Sequence, residues 1–445
     1  MGFHTETDTI SAIATPFGAA GVGVVRLSGD KAFEIAQKIF SNKTLEPNRI
    51  VHGWIKDGET LIDEVIVLPF KAPKSYTGED VIEIQCHGGI QIVRQILNLT
   101  IKNGARLAEK GEYTKRAFLN GKMDLSQAEA VLDLIHAKTE KFAVKSANNL
   151  SGKLREEIEK IRKNIFDLLS KIVAAIDFPE DVREPDYSEI EEEIKNIITQ
   201  IDTILSVSKS SNILRQGIKL VIAGKPNVGK SSLFNRLLNL DRAIVTDIAG
   251  TTRDVLEETL NLDGIPLTIS DTAGIRNDEN MDKVEAIGIE GAKNYIEEAN
   301  IILFLYDLTQ GFSREDKEIF ELIKDKKYIK VGTKSDLTDN RDSDSVCISA
   351  LSGDNIEVLK EKIKELVLGE NNLETEFITN ERQQKCLVSA KNSLLQALET
   401  TLSMDLQDLI SIDLKSALLS VGEVSGEVIT DDILNNIFEN FCIGK

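Results

Sequence analysis

The sequence predicts a multidomain α/β protein: a mixed N-terminal α/β domain, a discontinuous helical domain, and a doubly wound P-loop domain inserted within it. Three observations predict this. At 445 residues the chain exceeds what one core organises, so two or three domains are expected. The phosphate-binding pattern G-x-x-x-x-G-K-[ST] is complete at Gly224 to Ser231. Apolar residues recur at helical spacing on both sides of that motif, from Asp124 to Ser208 and again beyond Asn372. The expected boundaries are 1–122 for the N-terminal domain, 123–215 for the first helical part, 216–371 for the P-loop domain and 372–445 for the second helical part.

The N-terminal domain reads as strands at Ile10 to Ala14, Val22 to Leu27, Glu64 to Leu68 and Val81 to Gln85, with helices at Lys31 to Phe40 and Ile90 to Asn103. Gly18 to Gly23 is glycine-rich but precedes a strand, so it reads as a turn rather than a dinucleotide fingerprint. Cys86-His87 lacks further ligands and reads as structural. In the helical region Asp177-Phe178-Pro179 interrupts the periodicity, because proline cannot continue the backbone ladder, and folds one helix back on the next.

The central segment carries the chemistry. Ile218 to Ala223 is a β-branched strand, and Ser232 to Leu238 has helical spacing, so the glycine-rich loop lies between strand and helix. Its backbone amides, from Asn227, Val228 and Gly229 through Lys230, Ser231 and Ser232, close on a polyanion; Lys230 reaches the β and γ phosphates and the Ser231 hydroxyl ligates Mg2+. Downstream, Asp247 to Asp254 contributes the Thr251 and Thr252 hydroxyls toward magnesium and the γ-phosphate. A strand then ends in Asp271-Thr272-Ala273-Gly274, where Asp271 holds the metal indirectly and the Gly274 amide senses the γ-phosphate. After a third strand, Ile301 to Asp307, Thr333-Lys334-Ser335-Asp336 offers a carboxylate to the N1 and N2 protons of guanine, and Ser349-Ala350 offers amides to its O6. GTP is therefore the expected substrate. Asparagine is usual where Thr333 stands, and the missing amide contact weakens guanine affinity by about 0.5–1.5 kcal/mol.

Ile275 follows Gly274 where Ras-like switches have a water-positioning glutamine, so hydrolysis needs another device. Glu285 is the candidate for orienting water, and Arg276 or Arg253 for supplying charge or holding a loop. The Asn227 carbonyl, with carbonyls of Thr246 and Ile248 and an oxygen of Thr251, can hold K+ where an arginine finger's charge would sit.

Composition narrows the classes. With 73 acidic against 53 basic residues, net −20, the balance argues against broad non-specific contact with nucleic acid, and any RNA contact must be local or shared with a partner. The four cysteines show no CxxC spacing, which argues against a zinc site or a disulfide framework. Residues 1–11 lack a basic start and an apolar run, and no stretch approaches membrane-spanning length, so a cytoplasmic protein is expected.

With Asn227, Gly250-Thr251-Thr252-Arg253-Asp254 and the ending Phe441-Cys442-Ile443-Gly444-Lys445, the chain resembles the MnmE (TrmE) family of tRNA-modifying GTPases. Gly78-Glu79-Asp80-Val81, Arg116 to Asn120, Asp124 to Glu129 and Asp177-Phe178-Pro179 extend the resemblance along the whole length. It implies a potassium-stimulated GTPase, homodimeric through a folate-binding-type N-terminal domain. Its flavin-dependent partner, of the MnmG (GidA) type, would join it in a heterotetramer or larger complex that installs aminomethyl-type groups on C5 of the wobble uridine of certain tRNAs. The one-carbon unit would come from 5-formyl- or methylene-tetrahydrofolate, in a site matching Arg26, Glu83, Lys122 and Lys445, and Cys442 matches the family's C-terminal cysteine. A packed helix-end cysteine is the competing view of Cys442. A ribosome-assembly-type GTPase switch is the alternative; its usual basic RNA-binding appendage is not seen in these acidic flanks.

Overall fold

A computed structural model describes residues 8–41, 44–241, 257–271, 296–369 and 375–445. The chain forms two compact units: Met1–Leu132 with Leu150–Glu191 and Asn392–Lys445, and Asp133–Asn149 with Glu192–Lys391.

The first unit opens with β1 (Ile10–Ile13), β2 (Ala20–Ser28), α1 (Ala32–Ile39), β3 (Val51–Asp57), β4 (Thr60–Phe70), β5 (Val81–Gly88), α2 (Ile90–Lys102), β6 (Arg106–Leu107), α3 (Glu112–Leu119) and α4 (Leu125–Ile135). The strands order as β3-β4-β5-β2-β1-β6, antiparallel except where β1 meets β6. Two-residue alternation puts Val25, Leu27, Ile82 and Ile84 on the covered face, where Ile35 and Ile39 of α1 and Val93 and Ile96 of α2 meet them. The strands β3 and β6 were not expected. In β3, only Val51 and Ile55 are buried along Val-His-Gly-Trp-Ile-Lys-Asp, too sparse a pattern to read from sequence.

Next come α5 (Glu140–Ser151), α6 (Lys153–Asp177), α7 (Tyr187–Ser206) and α8 (Ser208–Gln216). Helix α6 buries Ile158, Ile161, Ile165, Leu168 and Ile172, a seam at three- and four-residue spacing, and stops at Asp177 before Pro179 as proline chemistry requires.

In the second unit follow β7 (Ile218–Gly224), α9 (Lys230–Asp241), β8 (Glu257–Leu262), β9 (Ile265–Asp271), β10 (Ile301–Asp307), α10 (Arg314–Ile323), β11 (Tyr328–Thr333), β12 (Val346–Cys347) and α11 (Ile356–Leu368). The sheet order β12-β11-β10-β7-β9-β8 is parallel except for the β8–β9 hairpin, and it is doubly wound as expected. Every residue of β10 is buried, the mark of a central parallel strand. The unexpected β8 turns into β9 through Asp263 and Gly264, both at positive φ, an Asp-Gly hairpin signal that the sequence did carry.

The chain closes with α12 (Glu381–Leu402), α13 (Gln407–Ser425) and α14 (Asp431–Glu439). In the first unit α13 packs along α6, and Arg162 pairs with Glu427 at 2.6 Å. Leu434 and Phe438 of α14 join Leu125, Val131 and Phe441 in a separate small core. Among the described residues no helix is long and apolar enough to cross a membrane.

Candidate functional site

Strand β7 delivers its last residue, Gly224, into the phosphate loop at φ 151°, where an added Cβ would lie 2.4 Å from the Leu305 carbonyl oxygen of β10. Only glycine fits that close approach. Asn227 takes a left-handed φ of 63° and its side chain is exposed, a backbone state asparagine tolerates better than most residues. Lys230, at the start of α9, lies back across the loop, its ammonium donating to the carbonyls of Gly224 at 2.8 Å and Lys225 at 2.7 Å. Ser231 and Ser232 are exposed on the first helical turn, where amides and helix dipole favour an anion.

One loop residue was not anticipated. Lys225 donates to the Ser313 hydroxyl at 2.8 Å and pairs with the fully buried Asp316 at 3.0 Å. Ser313 and Asp316 form the capping box of α10, so this lysine ties the phosphate loop to that helix. The pattern marks position 225 as variable, and nothing in the sequence pointed to its partner.

The base-selecting loop follows β11. Thr333 is buried, and its hydroxyl lies 2.6 Å from the Val228 carbonyl of the phosphate loop and 3.1 Å from the Tyr306 carbonyl. A hydroxyl has one proton, so the shorter contact defines its direction. Thr333 thus bridges the base loop to the phosphate loop, a structural contact made across 105 positions of the sequence. Replacing Thr333 with valine keeps the shape but leaves a buried carbonyl short of a donor. We expect a loss of about 1–3 kcal/mol in stability, read by thermal unfolding, with GTP still preferred over ATP.

Lys334 sits at φ 60° and donates to Asp307 at 2.6 Å. Burial raises the Asp307 carboxyl, but the donors on Lys334 and Thr309 outweigh it and hold the group below its ordinary value. Asp336 is exposed at the loop tip, free to face a base edge. The Ser349 amide is donated to the Asp354 carbonyl at 3.2 Å and is therefore already committed. Thr246, Ile248, Thr251, Thr252, Arg253, Thr272, Ala273, Gly274, Arg276 and Glu285, with the side chain of Asp271, lie outside the described residues.

In the first unit, Arg26 on β2 stands directly opposite Glu83 on β5 and pairs with it at 2.7 Å. Its guanidinium lies 5.4 Å from the Tyr76 ring and 5.5 Å from the Tyr113 ring, and it donates to the Gly444 carbonyl at 3.2 Å. Tyr113 is fully buried and donates its hydroxyl to the Arg26 carbonyl at 2.7 Å; burial drives its phenol strongly upward, so it stays a donor. The C-terminal segment is seated beside them through a Lys110–Ile443 bridge. Gly444, at φ 96°, brings its Cα so near the Ile13 carbonyl that a Cβ would sit 2.3 Å away. Lys445 is half-buried, and burial together with the neighbouring Arg26 lowers its pKa.

Arg26, Glu83 and Lys445 therefore converge. Lys122 is exposed, and its ammonium donates to the Pro73 carbonyl at 3.0 Å. Tyr76 and Tyr113 were missed because two tyrosines 37 residues apart carry no spacing signal. Cys442 is exposed beside this cluster. Cys86 is buried against the Gly23 carbonyl, its thiol pushed up to about 11 by burial and then by Asp63, while His87 pairs with Asp63 at 2.7 Å. Among the described residues no cluster of His, Cys, Asp and Glu could hold a metal.

Two family models match the chain: "GTP-binding protein TrmE N-terminus" over residues 9–122 and "MnmE helical domain" over residues 125–442. The tRNA modification GTPase MnmE of Carboxydothermus hydrogenoformans is 46% identical over 98% of this chain and 99% of its own length. This chain belongs to the MnmE family of tRNA modification GTPases. The MnmE proteins of Fervidobacterium nodosum and Caldicellulosiruptor saccharolyticus are 45% and 44% identical, over 100% and 99% of this chain and 99% and 100% of theirs. The N-terminal model of the MnmE family covers the residues that carry Arg26 and Glu83, and the C-terminal segment falls within or just beyond the helical model.

Proposed function

We propose that this chain is a potassium-stimulated GTPase that works in the cytoplasm. With a flavin-dependent partner protein it modifies C5 of the wobble uridine of certain tRNAs, adding an aminomethyl-type group whose one-carbon unit comes from a tetrahydrofolate. The observation that carries the GTPase part is the coupling of the phosphate loop to the base loop through Thr333 and Val228, which holds an anion cradle and an exposed Asp336 in one frame. Full-length similarity to tRNA modification GTPases supports the rest.

The residues fit the groups this requires. Exposed Ser231 at the helix start and the Lys230 ammonium suit a magnesium-bound triphosphate, and the Asn227 amide, turned outward by its left-handed backbone, suits K+ together with Thr246, Ile248 and Thr251. When bound, the two cations offset charge developing on the transferred phosphoryl group. Arg26 and Lys445 offer cationic donors to a folate glutamate, and Glu83 accepts from a pterin amide edge. We assign the domains as 1–122, 123–215, 216–371 and 372–445, with dimerisation through the first.

Replacing Asn227 with alanine should abolish potassium stimulation while nucleotide binding survives, and the unaltered chain should hydrolyse GTP about tenfold or more faster in potassium than in sodium. Equal rates in the two salts would refute the cation assignment. Nucleoside mass spectrometry of tRNA from cells lacking the chain tests the larger reading: unchanged wobble uridines would leave a GTPase switch of the ribosome-assembly type.

A further inference from the structure

One end of the α6/α13 pair in the first unit carries an apolar surface that the proposed chemistry leaves unused. Arg162 in the first half of α6 pairs with Glu427 just beyond the end of α13, and the bonds at the other end put the start of α13 toward the end of α6, so the two helices run antiparallel. The Tyr187 hydroxyl donates to the Asp405 carbonyl at 2.7 Å, and Gln407 Nε2 to the Pro185 carbonyl at 3.0 Å. These bonds hold the turn after α6 against the turn between α12 and α13. On those two turns Phe178 is 60% exposed, Met404 75% and Leu406 71%, with Ile176, Leu402 and Leu409 also exposed. Scattered exposed apolar residues are ordinary, but three on two bonded turns, with Ile176, Leu402 and Leu409 on the helix ends that flank them, mark an interaction surface. Beneath them Gln407 is buried, and its carbonyl oxygen has no partner among the described residues.

Charge identifies what fits there. Residues 177–191 and 402–409 carry nine carboxylates and one cation, Arg183, which is paired with Asp186. Such a rim repels the phosphates of RNA and anionic lipid alike, and equally a second copy of the same end. It attracts a protein segment that presents lysine or arginine around an apolar stripe. We propose that this acid-rimmed apolar end of the helical arm docks a basic, amphipathic segment of a partner protein. The apolar centre supplies affinity and the carboxylates supply rate and selectivity. The inference is independent of the nucleotide and folate assignments.

The test is fluorescence anisotropy with the full chain and a labelled 18-residue amphipathic helix of leucine and lysine, beside the same peptide with glutamate for lysine. The lysine peptide should bind, weakening steeply between low and high salt, and the glutamate peptide should not. The double substitution Phe178→Ser with Leu406→Ser leaves every charge in place and should weaken binding about tenfold or more, with GTP hydrolysis and thermal unfolding unchanged. Unaltered binding by that variant would mean attraction to the chain's net charge alone and would overturn the proposal. Two other outcomes would overturn it as well: self-association lost in the variant by sedimentation velocity, which would give the surface to a second copy, or tRNA affinity lost in the variant, which would give it to RNA.

Discussion

Replacing Asp336 with asparagine should weaken GTP binding about a hundredfold or more, while xanthosine triphosphate gains what guanosine triphosphate loses. The carboxylate stands exposed at the tip of a loop whose neighbours are all committed: Thr333 to the phosphate loop, Lys334 to Asp307, and the Ser335 amide to the Ile348 carbonyl. Its carboxylate is exposed and would accept the two guanine protons, and charge-assisted hydrogen bonds of this kind contribute about 1.5–3 kcal/mol each. An asparagine amide can donate to the second xanthine carbonyl where the carboxylate could only repel it. Competition titrations with a fluorescent guanine nucleotide read the change directly. GTP affinity within twofold of the starting protein would remove Asp336 from base recognition.

Substituting Arg116 with alanine should destabilise the first unit by about 3–5 kcal/mol, because Arg116 is 6% exposed and its departure takes from Glu79 its cation and leaves Asp8 and Glu112 to Arg106 alone. Arg116 donates to Asp8 at 2.6 Å, to Glu112 at 2.9 Å and to Glu79 at 3.2 Å, while Arg106 holds the far side of Asp8 and Glu112. Burial raises the Glu112 carboxyl, but Arg106, the Glu109 amide and Arg116 together bring it below its ordinary value. Asp8 is lowered likewise, with burial opposed by Arg106 and Arg116. The sign of the pH dependence follows. Carboxylates depressed in the folded state contribute their stability above the ordinary carboxylate range near 4, and that contribution is lost as pH falls through their folded values. Thermal unfolding followed by circular dichroism from pH 7 to pH 3 should show this acid loss, and the alanine variant should show less of it. A variant that melts with the original protein would show that the network holds nothing together.

The contrast between these two residues shows what could be read in advance. The loop that carries Asp336 was legible because the motifs come in the order strand, phosphate loop, strand, base loop, and it does follow β11 with Asp336 exposed. The helices were legible too: the seam from Ile158 to Ile172 repeats at helical spacing and is buried as written. Long-range polar contacts were not. Arg116 meets Asp8 across 108 positions, Lys225 meets Asp316 across 91, and nothing local in a sequence announces such pairs. Thr333 shows a third case, in which the residue was noticed for the contact it lacks rather than the one it makes. The strand β3 escaped because Gly53 interrupts its alternation, and that glycine is required by the Phe40 ring, 2.6 Å from where a Cβ would be.

The pairing of α6 with α13 joins residues separated by the longer segment of the second unit, Glu192–Lys391, as Arg162 and Glu427 illustrate. A ribosome adding about 5–20 residues per second needs on the order of tens of seconds to make the intervening chain. Throughout that interval the apolar seam of α6 has emerged without its eventual companion. Newly made chains of this protein should accordingly depend on chaperones that shield greasy helices during synthesis.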